Sequence, residues 1–201
     1  MEDINPHKIV LIPWPGKSFK IELRQLTVYD ARIGMLKHIN RHQKIEKMWT
    51  YDEVQNYNKL VDCDIIYDWT EQERLEREIY LVDALIHNKG WAFGAFDGEK
   101  LMGYILANKR LFGDCNEYVE LRWFYVSEAY RHRGVGRTLF TMVEEKVAKE
   151  SFAHKIYIQS GFSRETQRFY TSLGCVPARW ISKEILARDP RERQMEFNIR
   201  G

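Results

Sequence analysis

The residues best suited to chemistry lie in one run, Arg131-His132-Arg133-Gly134-Val135-Gly136-Arg137. Three arginines and a histidine surround two glycines. A segment follows in which Val135, Leu139, Val143 and Val147 fall on one helical face. A helix start leaves backbone N–H groups without partners, and the helix dipole adds partial positive charge there. Glycines let a ligand approach the backbone without a Cβ in the way. An R-x-x-G-x-G run at such a point suits an anion, most naturally a diphosphate. It is not a Walker loop, since no Gly-Lys-Ser/Thr follows, and it lacks the third glycine and later acid of a dinucleotide fingerprint. Taken alone, the run also fits a basic surface turn.

Other reactive side chains carry less. Cys63, Cys115 and Cys175 are odd in number and far apart, with no metal or redox spacing, so reduced thiols in a cytoplasmic protein are expected. His38 and His42 have the i, i+4 spacing of a helical metal pair, but no third ligand is evident and no metal is expected.

These residues need elements to position them. Residues 19–26 alternate as a strand, and Thr27 with Asp30 opens a helix reaching about residue 40. Thr50 with Glu53, and Thr70 with Glu73, read as capping boxes opening two more helices. The early region is thus a strand followed by several helices. Residues 91–112 form two β-rich runs around Asp97-Gly98, a hairpin signal. Residues 118–126 are a long aromatic strand, followed by the glycine run and its helix. Residues 154–160 are a short strand. Ser163 caps a helix that stops at Gly174, and a last strand follows. The alternation in "YVELRWFYV" slips near Trp123 and Phe124. Either a β-bulge or a strand buried on both faces produces that slip.

The chain has 201 residues, 44% hydrophobic and 30% charged, enough for a single domain spanning residues 1–201. Neither a secretory leader nor a membrane span is expected. A net charge of +2 argues against nucleic acid or an anionic membrane as partner.

Residues 120–137 and 155–175 jointly resemble the GNAT superfamily of N-acyltransferases. The matches are Tyr125-Val126 ending a strand, Arg131 to Gly136 opening a helix, and Tyr170 four residues before Gly174. Ser163 departs from a frequent asparagine and Cys175 from the usual phenylalanine. Residues 1–18 form an N-terminal extension without a counterpart. The resemblance implies an α/β (α+β) fold: a mixed central sheet of about six to seven strands with helices on both faces. The parallel strands at 118–126 and 154–160 would splay apart to form an acyl-CoA cleft.

It implies roles as well. The pyrophosphate would rest on the amides of His132, Arg133, Gly134, Val135, Gly136 and Arg137, with Arg131, Arg133 and Arg137 as charged donors. Pantetheine would pair with the backbone of Phe124, Tyr125 and Val126 as an added strand, and Ser163, Phe169 and Tyr170 would complete the cofactor contacts. Glu120 would take the proton of the attacking amine and Tyr170 would donate to the leaving thiolate. Glu120 is also readable as a solvated or ion-paired strand carboxylate, and Tyr170 as a core residue. Residues 28–80 would shape the acceptor pocket, where Asp62, Asp64 and Asp68 either attract a cationic amine or form a solvated face.

The expected activity is transfer of an acetyl group from acetyl-CoA to a primary amine of a small molecule, with a homodimer admitted as the assembly. A protein lysine or N-terminal acetyltransferase, and a non-catalytic CoA-binding regulatory module, are the alternatives.

Overall fold

A computed structural model describes residues 7–14, 17–52, 57–188 and 193–199. In chain order the elements are β1 (His7–Trp14), β2 (Lys17–Gln25), β3 (Gln43–Asp52), β4 (Tyr57–Tyr67), α1 (Glu71–Ile86), β5 (Gly90–Asp97), β6 (Lys100–Phe112), β7 (Tyr118–Val126), α2 (Val135–Glu150), β8 (Lys155–Ser160), α3 (Arg164–Leu173), β9 (Val176–Pro177), α4 (Lys183–Arg188) and β10 (Arg193–Asn198). Eight strands form one sheet in the order β1-β2-β5-β6-β7-β8-β10-β9, and β3-β4 forms a separate hairpin. Every pairing is antiparallel except β7 with β8. The sheet thus has one or two strands more than expected, because β1 adds an edge strand on β2 and β9 adds a short one at the other end.

Helices cover both faces. Leu139, Phe140 and Val143 of α2 pack with Phe93, Ile105 and Ile156 on one side. Leu81 and Leu85 of α1 pack with Ala92, Tyr104 and Leu106 on the other. Each fully buried aliphatic side chain contributes about 1.5–3 kcal/mol relative to exposure, so these two layers fix the sheet between the helices.

The early region departs from expectation twice. The helix from Thr27 to about residue 40 does not form. Thr27 and Asp30 do make a local cap, Thr27 N donating to Asp30 Oδ2 at 2.8 Å, but the 3-10 turn ends at Asp30. Arg24 grips both Asp30 oxygens at 2.7 and 3.0 Å. Gly34 then takes a left-handed φ of +89°, which turns the chain away from a helical path. His38 and His42 therefore do not share a helix face. The second expected helix is the β3–β4 hairpin. Thr50 lies within β3, and Glu53, the other half of the expected capping box, lies outside the described residues. Along β4, half-buried Val61, Cys63 and Ile65 alternate with exposed Leu60, Asp62 and Asp64. That period of two overrides a local cap signal. The Thr70–Glu73 capping box does open α1, each partner accepting the other's backbone N–H, at 3.1 and 2.9 Å.

The slip in β7 is a bulge. Leu106 pairs with Trp123 and Ala107 with Leu121, leaving Arg122 as the extra residue. Val119, Leu121, Phe124 and Val126 consequently share the α2 face, while Trp123 and Tyr125 lie on the α1 face.

Candidate active site

Helix α2 starts without a side-chain cap. Gly134 is its N-cap, at a left-handed φ of +83°, and the first turn holds no acid. Thr138 N makes the first helical bond, to the Gly134 carbonyl at 3.0 Å. The amides ahead of it have no partner within the helix. His132 is also left-handed, at φ +58°. Turns of this kind gather N–H groups into an anion-binding concavity. A Cβ at Gly134 would meet nothing within 4 Å, so the space over this backbone is open. At Gly136 a Cβ would come within 3.2 Å of Phe169, so the glycine lets α3 sit close to the start of α2.

Each arginine of this run donates to a carbonyl of the chain. Arg131 donates from Nε to the Val126 carbonyl at 2.8 Å, from Nη1 to His42 O at 2.7 Å and from Nη2 to Arg41 O at 2.8 Å. It ties residues 41–42 to the end of β7. Burial, with Arg41 nearby, pushes its pKa down to about 10. Arg133 reaches back to the Ala129 carbonyl, and Arg137 to Ser172 O at 3.0 Å and Oγ at 3.2 Å. The positive potential remains, but Arg131's donors are directed at carbonyls.

β7 and β8 pair only from Tyr118↔Lys155 to Leu121↔Ile158 and then part. Beyond the bulge β7 still pairs with β6 through Val126, so the edge of Trp123–Val126 that faces β8 is open. Phe124 stands in the gap, with its ring 5.6 Å from Phe169 and 6.5 Å from Tyr170. Tyr170 is buried and lines the hollow between the parted strands. Tyr125 points to the opposite face, edge-on to Trp69 at 4.6 Å and accepting from Arg77 Nε at 3.3 Å. Ser163 caps α3, its Oγ accepting from Thr166 N at 3.1 Å and from Gln43 Nε2 at 3.2 Å. That leaves Ser163 a joint between α3 and the hairpin. Cys175 is buried, which pushes its thiol up to about 12 and makes it unreactive.

Glu120 sits mid-strand on β7, buried on the α1 face. Oε2 accepts from Asn108 Nδ2 at 3.1 Å. Oε1 accepts from Arg188 at the end of α4 and lies 3.7 Å from Arg122 Nη1. The carboxylate is thus ion-paired, with a lone pair of Oε2 left for a further contact.

The hollow measures about 370 Å³, within the range of small-molecule sites. Its walls include residues that the sequence did not single out: Arg41, Tyr67, Arg77, Arg122, Trp123 and Arg188. They come from five separate parts of the chain, and no motif joins them. A larger hollow of about 670 Å³, between Asp30 and Leu101, holds neither parted strands nor a helix start. Asp62 and Asp64 are exposed on β4, so they form the solvated face rather than a pocket wall.

Residues 51–175 match the sequence model described as Acetyltransferase (GNAT) family. No curated protein matches the chain. Among solved structures, nourseothricin acetyltransferase aligns at 14% identity and TM-score 0.63, covering 90% of this chain and 99% of that one. A provisionally named streptothricin acetyltransferase from Bacillus anthracis str. Ames, in complex with acetyl coenzyme A, aligns at 17% identity and TM-score 0.62, covering 88% and 95%. The PaiA N-acetyltransferase from Thermoplasma acidophilum, in complex with coenzyme A, aligns at 17% and 0.56, covering 89% and 98%. At these identities the likeness is one of fold.

Proposed function

The chain belongs to the acetyltransferase (GNAT) family, and on that premise we propose that it moves an acetyl group from acetyl-CoA to a primary amine of a small molecule. The observation that carries this reading is the parting of β7 from β8 after Leu121, next to an uncapped helix start and with Tyr170 in the gap. The residues fit the co-substrate: the open edge suits an amide-bearing chain lying as an added strand, and the Gly134 turn leaves room over the amides for phosphates. That structures of this fold have been solved with acetyl coenzyme A and coenzyme A is consistent with it.

The thioester supplies an activated acyl group. This chain's residues supply the rest. Amides of residues 132–137 hold the phosphates, and the backbone of Phe124, Tyr125 and Val126 aligns the pantetheine, while the rings of Phe124 and Phe169 exclude water beside it. The phenol of Tyr170 donates to the departing sulfur. An alkylammonium, with its pKa of about 10, must lose a proton before it can attack. Glu120, on the same face as the acceptor pocket, takes that proton through Oε2, directly or by one water. Gln43 and Ile45 of the hairpin wall the hollow, which favours a small acceptor over a folded protein surface.

Calorimetry with acetyl-CoA, followed by thiol release with a panel of primary amines, tests the reading. Saturable binding with turnover of at least one amine is expected. The absence of both binding heat and thermal protection by coenzyme A would overturn it.

A further inference from the structure

Among the described residues, the walls of the acceptor hollow carry four guanidinium groups, Arg41, Arg77, Arg122 and Arg188, and no carboxylate. Glu120 beneath them pairs with Arg188 and, at 3.7 Å, with Arg122, and Arg188 also reaches Glu184 at 3.2 Å. Arg77 reaches Glu73 at 3.9 Å, the edge of ion-pair distance. Among the described residues Arg41 has no carboxylate within that distance. Its Nη1 donates to the Gln43 carboxamide at 2.8 Å, and its plane lies 4.7 Å from the Tyr67 ring and 5.6 Å from Tyr125. Burial, with Arg77 close by, lowers the Arg41 pKa.

The unmet polar atoms point the same way. Among the described residues, Arg41 Nε and Trp123 Nε1, both on pocket-lining residues, are buried without an acceptor, as is Trp69 Nε1 behind Tyr125. All three are donors. Arg77 and Arg122 both stack on the Trp123 ring, at 4.9 and 4.4 Å. Their side chains are only 12% and 20% exposed, so water screens them poorly. A buried group of donors and cations is completed by an acceptor-rich anion.

From this surplus of buried donors and positive charge in the hollow, we propose that the acceptor is an anionic amine, its carboxylate or phosphate held by Arg41 and Arg77 over the Trp123–Tyr125 aromatic wall. The proposal rests on the acyl-transfer reading and narrows its substrate class. It replaces the cationic acceptor that the β4 acids had left open, since those acids face solvent. The field has a second effect. Cations near an ammonium favour its neutral form, so the pocket that binds the acid group also helps to uncover the nucleophilic nitrogen.

Matched acceptors test the proposal. With acetyl-CoA saturating, kcat/KM is measured for amino acids against their amides, and for phosphoethanolamine against ethanolamine. At least a tenfold preference for the anionic member of one pair is expected, and which pair shows it identifies carboxylate or phosphate. Arg41→Gln should collapse that ratio, with Arg41→Lys restoring part of it. Equal turnover of both members of each pair, or preference for the neutral ones, overturns the proposal. Should no amine react, N-acetylphenylalanine and its amide are titrated into the coenzyme A complex by tryptophan fluorescence. Tighter binding of the acid then upholds the anion site while the transferase reading fails. Equal or absent binding sinks the anion site.

Discussion

Arg188, the last residue of α4, closes its guanidinium on the Glu120 carboxylate in the middle of β7. The contact links the C-terminal part of the chain to a buried carboxylate beneath the acceptor hollow, and it shapes the first expectation.

Glu120→Gln should lower kcat by about 10²-fold, the lower range for a lost general base, with the greatest loss near neutral pH. Arg188→Gln, which leaves the carboxylate in place and uncovers Oε1, should retain far more activity. Initial rates from pH 6 to 9 for both variants make the comparison. A Glu120→Gln profile superimposable on the native one removes this residue from proton transfer and leaves it as the counter-charge of Arg122 and Arg188.

Tyr170→Phe keeps the ring packed on Phe124 and Phe169, so its melting temperature should stay within a few degrees of native. Turnover should drop by at least tenfold, with acetyl-CoA affinity little changed. Full turnover with a good acceptor would make Tyr170 a packing residue.

The phosphate cradle and the arginines beside it separate cleanly. Gly136→Ala pushes a methyl to 3.2 Å from Phe169, and should weaken coenzyme A binding by calorimetry. Arg131→Gln breaks three bonds to carbonyls and should destabilise the fold by about 1–3 kcal/mol, while coenzyme A affinity stays within about threefold. A large loss of affinity in Arg131→Gln, with none in Gly136→Ala, would return the phosphate contact to the arginine side chain.

Acid stability should centre on Glu196. It is 2% exposed and accepts from Lys155 at 2.8 Å, Tyr118 at 2.7 Å and Arg179 N at 3.2 Å. Burial disfavours its charge, but these donors outweigh that and hold the carboxyl below its ordinary value. A depressed folded-state value means that the stabilisation is complete above the ordinary carboxylate range and lost as pH falls through the folded value. Glu196→Gln should lower stability at pH 7 by about 3–5 kcal/mol, as for a broken buried pair, and flatten the fall in melting temperature between pH 5 and 3. An unchanged acid profile would locate the sensitivity elsewhere, with the Arg24–Asp30 pair the next to test.

What was legible in the sequence was local and periodic. The Gly134 helix start, the Thr70–Glu73 cap and the Ser163 cap each depend on residues within a few positions, and each formed where expected. The slip at Trp123 was legible too, but a bulge and a doubly buried strand leave the same trace. The hairpin was misread because Thr50-x-x-Glu53 imitates a helix start, while the alternation that fixes β4 lies downstream of it. The tethering of Arg131 was invisible because two of its three acceptors, the carbonyls of Arg41 and His42, are about ninety positions away and carry no side-chain signature. The same holds for the arginine-lined hollow, assembled from residues between 41 and 188. Charge counted along the chain, +2 overall, says nothing of where in space it accumulates.

The extra residue at Arg122 makes one strand serve two chambers. Upstream, odd-numbered positions look toward α2, and downstream the even-numbered ones do. Deleting Arg122 alone would restore strict alternation and leave Phe124 and Trp123 on the faces they now occupy. Deleting Arg122 together with Trp123 would turn Phe124 toward the acceptor chamber and Tyr125 out of it. The partition between thioester and acceptor therefore tolerates loss of the one surplus residue of β7 at Arg122, and no further odd step beyond it.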